Sequence, residues 1–144
     1  MSTSEMWTIM GTYFGVLLVF GVIWIIANWR IYSKAGEAGW KCIIPIYNTY
    51  VLYKFTWKTL FFWIFWISNI AISMLNYFGG TNKIVAVIVL CLSLLSIVLA
   101  IIQMHKLSVS FGHGVGFTLG LIFLNPIFTL ILAFGSSEYI GAQD

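Results

Sequence analysis

Four apolar stretches, each about the length needed to cross a bilayer, occupy more than half of this 144-residue chain and leave it few folds to adopt. They run over approximately residues 7–28, 60–78, 84–104 and 116–134. A helix rising ~1.5 Å per residue needs ~20 mostly apolar residues to span hydrocarbon. No acidic, basic or histidine side chain lies within any of the four. The expected fold is therefore an all-α integral membrane protein, a four-transmembrane-helix bundle built as one membrane domain over residues 1–144. Composition points the same way. Charged residues make up 8% of the chain and hydrophobic ones 61%, whereas soluble domains carry ~25% charged residues. A chain this small has too much surface for its volume to hide that apolar excess in a soluble core.

Orientation is read from the basic residues. Arg30, Lys34, Lys41, Lys54 and Lys58 lie in the first connection and Lys106 in the third, while Lys83 alone lies in the second. With four spans the first and third connections share a side, and the positive-inside rule makes that side cytoplasmic. Both termini are then expected outside the cytoplasm, in a cell (inner) membrane. The net charge of +3 is thus a topology signal. A nucleic-acid partner would need a basic patch on a soluble face, and none is expected. The first stretch is too long, and its flank too poor in small residues, for a cleaved signal peptide, so it reads as a permanent helix.

The first connection is unusual. Residues 38–57 hold Trp40, Lys41, Tyr47, Lys54 and Trp57, followed by Lys58. The apolar run bracketed by Lys41 and Lys54 is 12 residues, too few to span, and Pro45 blocks a continuous helix. Gly36 or Gly39 can end the first helix in a left-handed cap, and Asn48 can cap a short second one. Aromatic rings at headgroup depth with lysines reaching outward suit an interfacial or re-entrant segment. Arg30, Lys34, Trp40, Lys41, Tyr47, Lys54, Trp57 and Lys58 are accordingly the expected surface for anionic lipid headgroups or a protein partner.

Small and polar residues within the spans suggest where helices meet. Gly11 and Gly15 form one GxxxG pair, and Gly112, Gly116 and Gly120 form two more. Four-residue spacing puts such glycines on one helix face for close packing. Asn69, Ser93, Ser96 and Asn125 lie near mid-depth in three different stretches. They are expected to form a cluster, either as interhelical hydrogen bonds or as the lining of a small polar pocket. No carboxylate accompanies them, which argues against proton or cation coupling. Cys42 and Cys91 lack CxxC spacing and read as packing residues. No catalytic, metal or cofactor motif is present, and His105 and His113 lie in a connection.

The stretch from Lys34-Ala-Gly36 through Gly39-Trp40 to Pro45-Ile-Tyr47-Asn48 resembles the signature of a family of small four-helix prokaryotic membrane proteins of unknown function. In that family a KAGxxGW…IPIYN motif follows the first helix. Phe111-Gly112, Asn125-Pro126 and Tyr139-Ile-Gly141 extend the resemblance toward the C-terminus. Members are sometimes labelled signal-peptidase-like, but the serine and lysine motifs of that enzyme are missing here. The resemblance implies a fold and no reaction. A weak echo between Gly39-x5-Pro45 and Gly120-x5-Pro126 hints at two related halves. The leading expectation is a non-enzymatic accessory or assembly subunit, contacting anionic lipid, a larger membrane-protein complex or further copies of itself. The alternatives are a small transporter or channel using the mid-depth cluster and, behind it, a membrane-embedded enzyme.

Overall fold

The computed structural model describes residues 1–143, and helix is the only regular secondary structure among them. Six α-helices run in chain order: α1 (Thr3–Lys34), α2 (Tyr47–Thr56), α3 (Thr59–Phe78), α4 (Lys83–Ser110), α5 (Val115–Phe123) and α6 (Asn125–Phe134), with a 3-10 turn at Gly39–Cys42. Three of them, α1, α3 and α4, are long and apolar enough to cross a bilayer.

Local chemistry accounts for the ends. Ser2 and Glu5 form a capping box, the Ser2 Oγ accepting from Glu5 N and the Glu5 carboxylate from Ser2 N. Asn82 caps α4 by accepting from Ile84 N at 2.9 Å. Two helices stop in the same way. Gly36 (φ 79°) follows α1 and Gly112 (φ 77°) follows α4. In each case the next residue's N–H reaches back to the carbonyl five positions earlier, Glu37 to Tyr32 and His113 to Ser108. Gly112 therefore ends a helix, where the sequence pattern predicts a packing glycine. Asn48 is not the cap of α2. It sits in the first turn, its amide donating to Cys42 O at 3.1 Å. The turn into α2 instead puts Ile46 at φ 67°, with Tyr47 N bonded to Pro45 O at 2.7 Å, a tight γ-turn.

The fourth expected span is not one helix. Leu124 leaves helical geometry (φ −125°, ψ 44°), and Pro126 starts α6 where its missing N–H costs nothing. At 1.5 Å per residue, α5 and α6 are each roughly half as long as the ~30 Å of hydrocarbon. They also fold back on each other. The Phe117 and Phe128 rings lie 5.0 Å apart, whereas eleven residues of straight helix would separate them by ~16 Å. Beyond the two ends, His113 Nε2 and Ser137 Oγ meet at 2.6 Å. The pair is a helical hairpin that leaves and returns at one end of the bundle.

That geometry also moves the C-terminus. Ile140 N bonds Ser110 O, Gln143 N bonds Thr56 O, and the Tyr139 hydroxyl donates to Phe55 O. Residues 136–143 thus lie at the end where α1 and α4 finish, opposite Thr3. The expectation of two termini on one side rested on counting the fourth stretch as a single straight helix, which it is not.

The tertiary core sits at this same end. Ala27, Ile31 and Tyr32 of α1 pack with Val51 and Phe55 of α2, Phe111, and Leu132 and Ala133 of α6. The α3 and α4 helices pair through the 79–82 turn, and α1 packs on the 3-10 turn and on α6.

Candidate functional site

Arg30, Lys34, Lys41 and Lys54 of the first connection are engaged by backbone carbonyls and by one acid. Lys34 Nζ donates to Leu132 O at 2.8 Å and to Gly135 O at 2.9 Å. Arg30 Nε donates to Ala133 O at 3.3 Å, and its guanidinium lies 5.3 Å from the Phe134 ring centroid. The last four carbonyls of any helix lack intrahelical partners and carry partial negative charge, so cations from α1 there bind α6 to it. Glu37 is clamped between Lys41 and Lys54, the latter at 2.7 Å, which ties the α1 C-terminus to the 3-10 turn and α2. Glu37 is the acid that the pattern of bases did not reveal. The Lys106 ammonium lies 5.7 Å from the Trp57 ring centroid, and Trp57 stacks on Phe61. Trp40 and Tyr47 stay exposed at this end.

Hydrogen bonds from Lys41, then from Lys54, hold the Glu37 carboxyl below the ordinary carboxylate range. A depressed pKa gives stability that is present above the unfolded-state value and lost as pH falls through the folded one. Acidification below the usual carboxylate range is therefore expected to lower the melting temperature, and Glu37→Gln to flatten that dependence. Melting curves in detergent between neutral and acidic pH check it, and parallel slopes for the two proteins would show that the clamp carries no stability.

The mid-depth residues do not gather into one cluster. Asn69 donates to Ser96 Oγ at 3.3 Å and to Phe65 O at 2.7 Å, joining α3 to α4. Ser93 bonds Val89 O on its own helix. Asn125 bonds Leu121 O and accepts from Thr129, all within the hairpin. Asn69 and Ser96 thus act as interhelical bonding, and Asn125 holds the break between α5 and α6. The glycines divide as well. A Cβ on Gly120 would overlap the Phe128 ring, so this glycine makes a close approach. Gly11, Gly15 and Gly116 have no atom within 4 Å of an added Cβ.

One partly open cavity draws on every α-helix among the described residues. A cavity of about 230 Å³ lies between Asn28 on α1, Thr49 on α2, Phe65 on α3, Gln103 on α4, Leu121 on α5 and Thr129 on α6. Gln103 is buried and donates to Thr56 Oγ1 at 2.6 Å, but its Oε1 has no partner. The sequence signal for it was a single carboxamide near the end of an apolar helix, outside the Asn/Ser group that mid-depth position picks out. Among the described residues no three His, Cys, Asp or Glu side chains converge to hold a metal. His105 instead meets Thr118 at 3.0 Å and His113 stacks on Phe117. Cys42 and Cys91 are both free thiols.

Comparison with known proteins assigns a family and no activity. The family described as Family of unknown function (DUF5684) matches residues 40–142, most of the chain. No curated protein and no solved structure matches. The chain belongs to DUF5684.

Proposed function

We propose that this member of DUF5684 is a small multi-pass protein of the cell membrane that serves as a non-enzymatic accessory subunit, its first helix docking against a transmembrane helix of another membrane protein. The observation that carries this reading is the isolation of α1. None of its most apolar 18-residue window is buried, and its packing residues are confined to Ala27, Ile31 and Tyr32 near its C-terminal end. Residues 3–23, ~30 Å of helix, are thus all exposed, and α1 meets the bundle only from Trp24 onward. Lipid covers apolar side chains adequately, but helices in lipid associate by close van der Waals packing at small residues. Gly11 and Gly15 offer that approach on one face, and nothing in their own chain uses it. A headgroup-binding role is less favoured, because Arg30, Lys34, Lys41 and Lys54 are engaged within the chain.

Orientation follows from the positive-inside rule applied to three crossings. The end carrying six of the seven basic residues faces the cytoplasm, together with the tail, and the N-terminus lies outside. Cysteines placed at Ser4 are expected to react with an impermeant reagent in intact cells, and those at Ala38 and Ser136 only after permeabilisation. Labelling of Ser136 from outside would restore a fourth crossing.

The docking role is tested with Gly11→Ile/Gly15→Ile. Nothing in the chain contacts these positions, so the variant is expected to accumulate and melt as the unmodified protein does. A stoichiometric membrane protein that co-purifies with the unmodified chain, and crosslinks to cysteines beside Gly11, is expected to be lost. A monomer without such a partner, or a homodimer through α1, overturns the accessory-subunit reading.

A further inference from the structure

We propose that the partly open cavity where α1 rejoins the bundle is a binding site for a neutral apolar molecule that carries a carbonyl or ether oxygen, and that the Tyr53 hydroxyl is the donor that holds it. The inference goes beyond the docking role of α1, whose Gly11 and Gly15 lie in the exposed part of that helix, away from the cavity.

Tyr53 is 2% exposed and borders the cavity, and its hydroxyl forms no hydrogen bond among the described residues. A buried tyrosine O–H ordinarily finds a partner, and leaving one unmet is costly. Phenylalanine would fill the same space without that cost. The ring is not free to swing toward another partner. Trp57 stacks with it at 6.4 Å between centroids, and Phe62 and Phe65 pack against it at 6.2 and 6.4 Å. Burial pushes the Tyr53 pKa up to about 12, so the group stays a neutral O–H with a proton to give. The other buried donors around the cavity are engaged. Tyr32 donates to Asn48 O, Gln103 to Thr56 Oγ1 and Thr129 to Asn125 Oδ1. Half-buried Thr49 and Asn125 donate to Asn48 Oδ1 and Leu121 O. Gln103 Oε1 is unpaired as well, but the chain encloses it and a ligand in the cavity cannot touch it. Trp24 and Asn28 lie nearer the surface, where their open groups are reached from outside. What the interior of the site lacks is an acceptor at Tyr53.

Charge and size narrow the ligand. None of the lining side chains is a carboxylate, ammonium, guanidinium or imidazole, so an ion would enter without compensation. Leu52, Phe65, Met104, Leu107 and Leu121 supply apolar wall. A dry cavity of ~150 Å³ suffices for a benzene ring, and about 230 Å³ leaves room for a ring with a short side chain. Trp24, 43% exposed, borders the cavity where α1 departs from the bundle, so a molecule dissolved in hydrocarbon has a route in. A free ketone and the ester of a lipid acyl chain present the same oxygen to Tyr53.

The experiment labels the full chain in lipid-free detergent micelles with a diazirine-bearing aryl ketone, using butyrophenone and butylbenzene as competitors. Butylbenzene keeps the shape and lacks the oxygen. Saturable labelling of peptides containing Asn28, Tyr53 or Leu107 is expected. Butyrophenone is expected to compete about tenfold better than butylbenzene at equal concentration in the micelles, as one hydrogen bond from a buried donor supports. Tyr53→Phe removes the hydroxyl alone. It is expected to melt no lower than the unmodified protein and to erase the tenfold preference. Adding a diacyl phosphatidylcholine then separates the two sources: displacement of the label assigns the acceptor to a lipid ester, and persistence assigns it to a free molecule. Equal competition by butyrophenone and butylbenzene, an unchanged preference in Tyr53→Phe, labelling confined to the outward positions of α1 and α3, or no saturable labelling overturns the proposal. So does a Tyr53→Phe protein that melts lower or fails to fold, since the hydroxyl would then already have its partner.

Discussion

Gly120→Val is expected to lower the stability of the folded protein by about 1–3 kcal/mol, the usual cost of forcing extra carbon into a packed site. Gly120 faces Phe128 across the α5–α6 hairpin, and even a methyl group there would overlap the ring. Phe128 has little freedom to yield, because its ring also packs edge-on against Phe117 at 5.0 Å. Valine must either displace that ring or spread the two helices. Spreading them pulls Leu132 and Ala133 away from the core against α1. The double variant Gly120→Val/Phe128→Ala is expected to recover part of the loss, since the clash and its partner vanish together and a small void remains. A Cβ on Gly116 meets nothing within 4 Å, so Gly116→Val is expected to stay within ~0.5 kcal/mol. Thermal melts of purified protein in detergent, followed by circular dichroism, rank the three. Equal melting temperatures for Gly116→Val and Gly120→Val would mean that α5 and α6 do not fold back on each other.

Lys34→Met should be the other damaging change, at about 2 kcal/mol, within the range for hydrogen bonds to a charged group. The ammonium serves two carbonyls of one helix end, Leu132 O and Gly135 O. Methionine keeps the length and apolar stem but loses both bonds and the attraction to the helix terminus. Leu132 is fully buried, so water replaces the lost donor poorly there. Lys34→Arg keeps the charge and is expected to lose less. Arg30→Met, with one bond at 3.3 Å, is expected to cost less than Lys34→Met. The same melts report it, alongside protease sensitivity of residues 136–143, which hang from α6. A Lys34→Met protein that melts normally while its orientation in cells inverts would show that Lys34 acts only as a topology signal.

These two residues show where a linear reading stops. Hydropathy and length identified α1, α3 and α4 because a crossing helix must be apolar for ~20 residues whatever surrounds it. They misjudged residues 116–134 for the same reason. A window average is identical for one straight helix and for two half-length helices folded together. Gly120 and Pro126 carried the hint, but only the meeting of Phe117 with Phe128, and of His113 with Ser137, distinguishes a hairpin from a crossing. Because the hairpin returns, the tail lies beside Ser110, with Ile140 N bonded to Ser110 O.

Polar residues behaved similarly. Their types were legible and their partners were not, because a partner is a matter of distances between remote segments. Asn69 and Ser96 meet across α3 and α4, Asn125 closes on its own hairpin, and the unpaired carbonyl belongs to Gln103. The bases of the first connection indicated a side of the membrane by number alone. Glu37, and the carbonyls at the end of α6, became their partners only when α1, α2 and the hairpin packed together. Apolar length and charge asymmetry are additive properties of a segment, so they survive in the sequence of this chain. The hairpin depends on the meeting of Phe117 with Phe128 and of His113 with Ser137, and the capping of α6 by α1 on contacts between segments about a hundred residues apart, and those exist only in the packed chain.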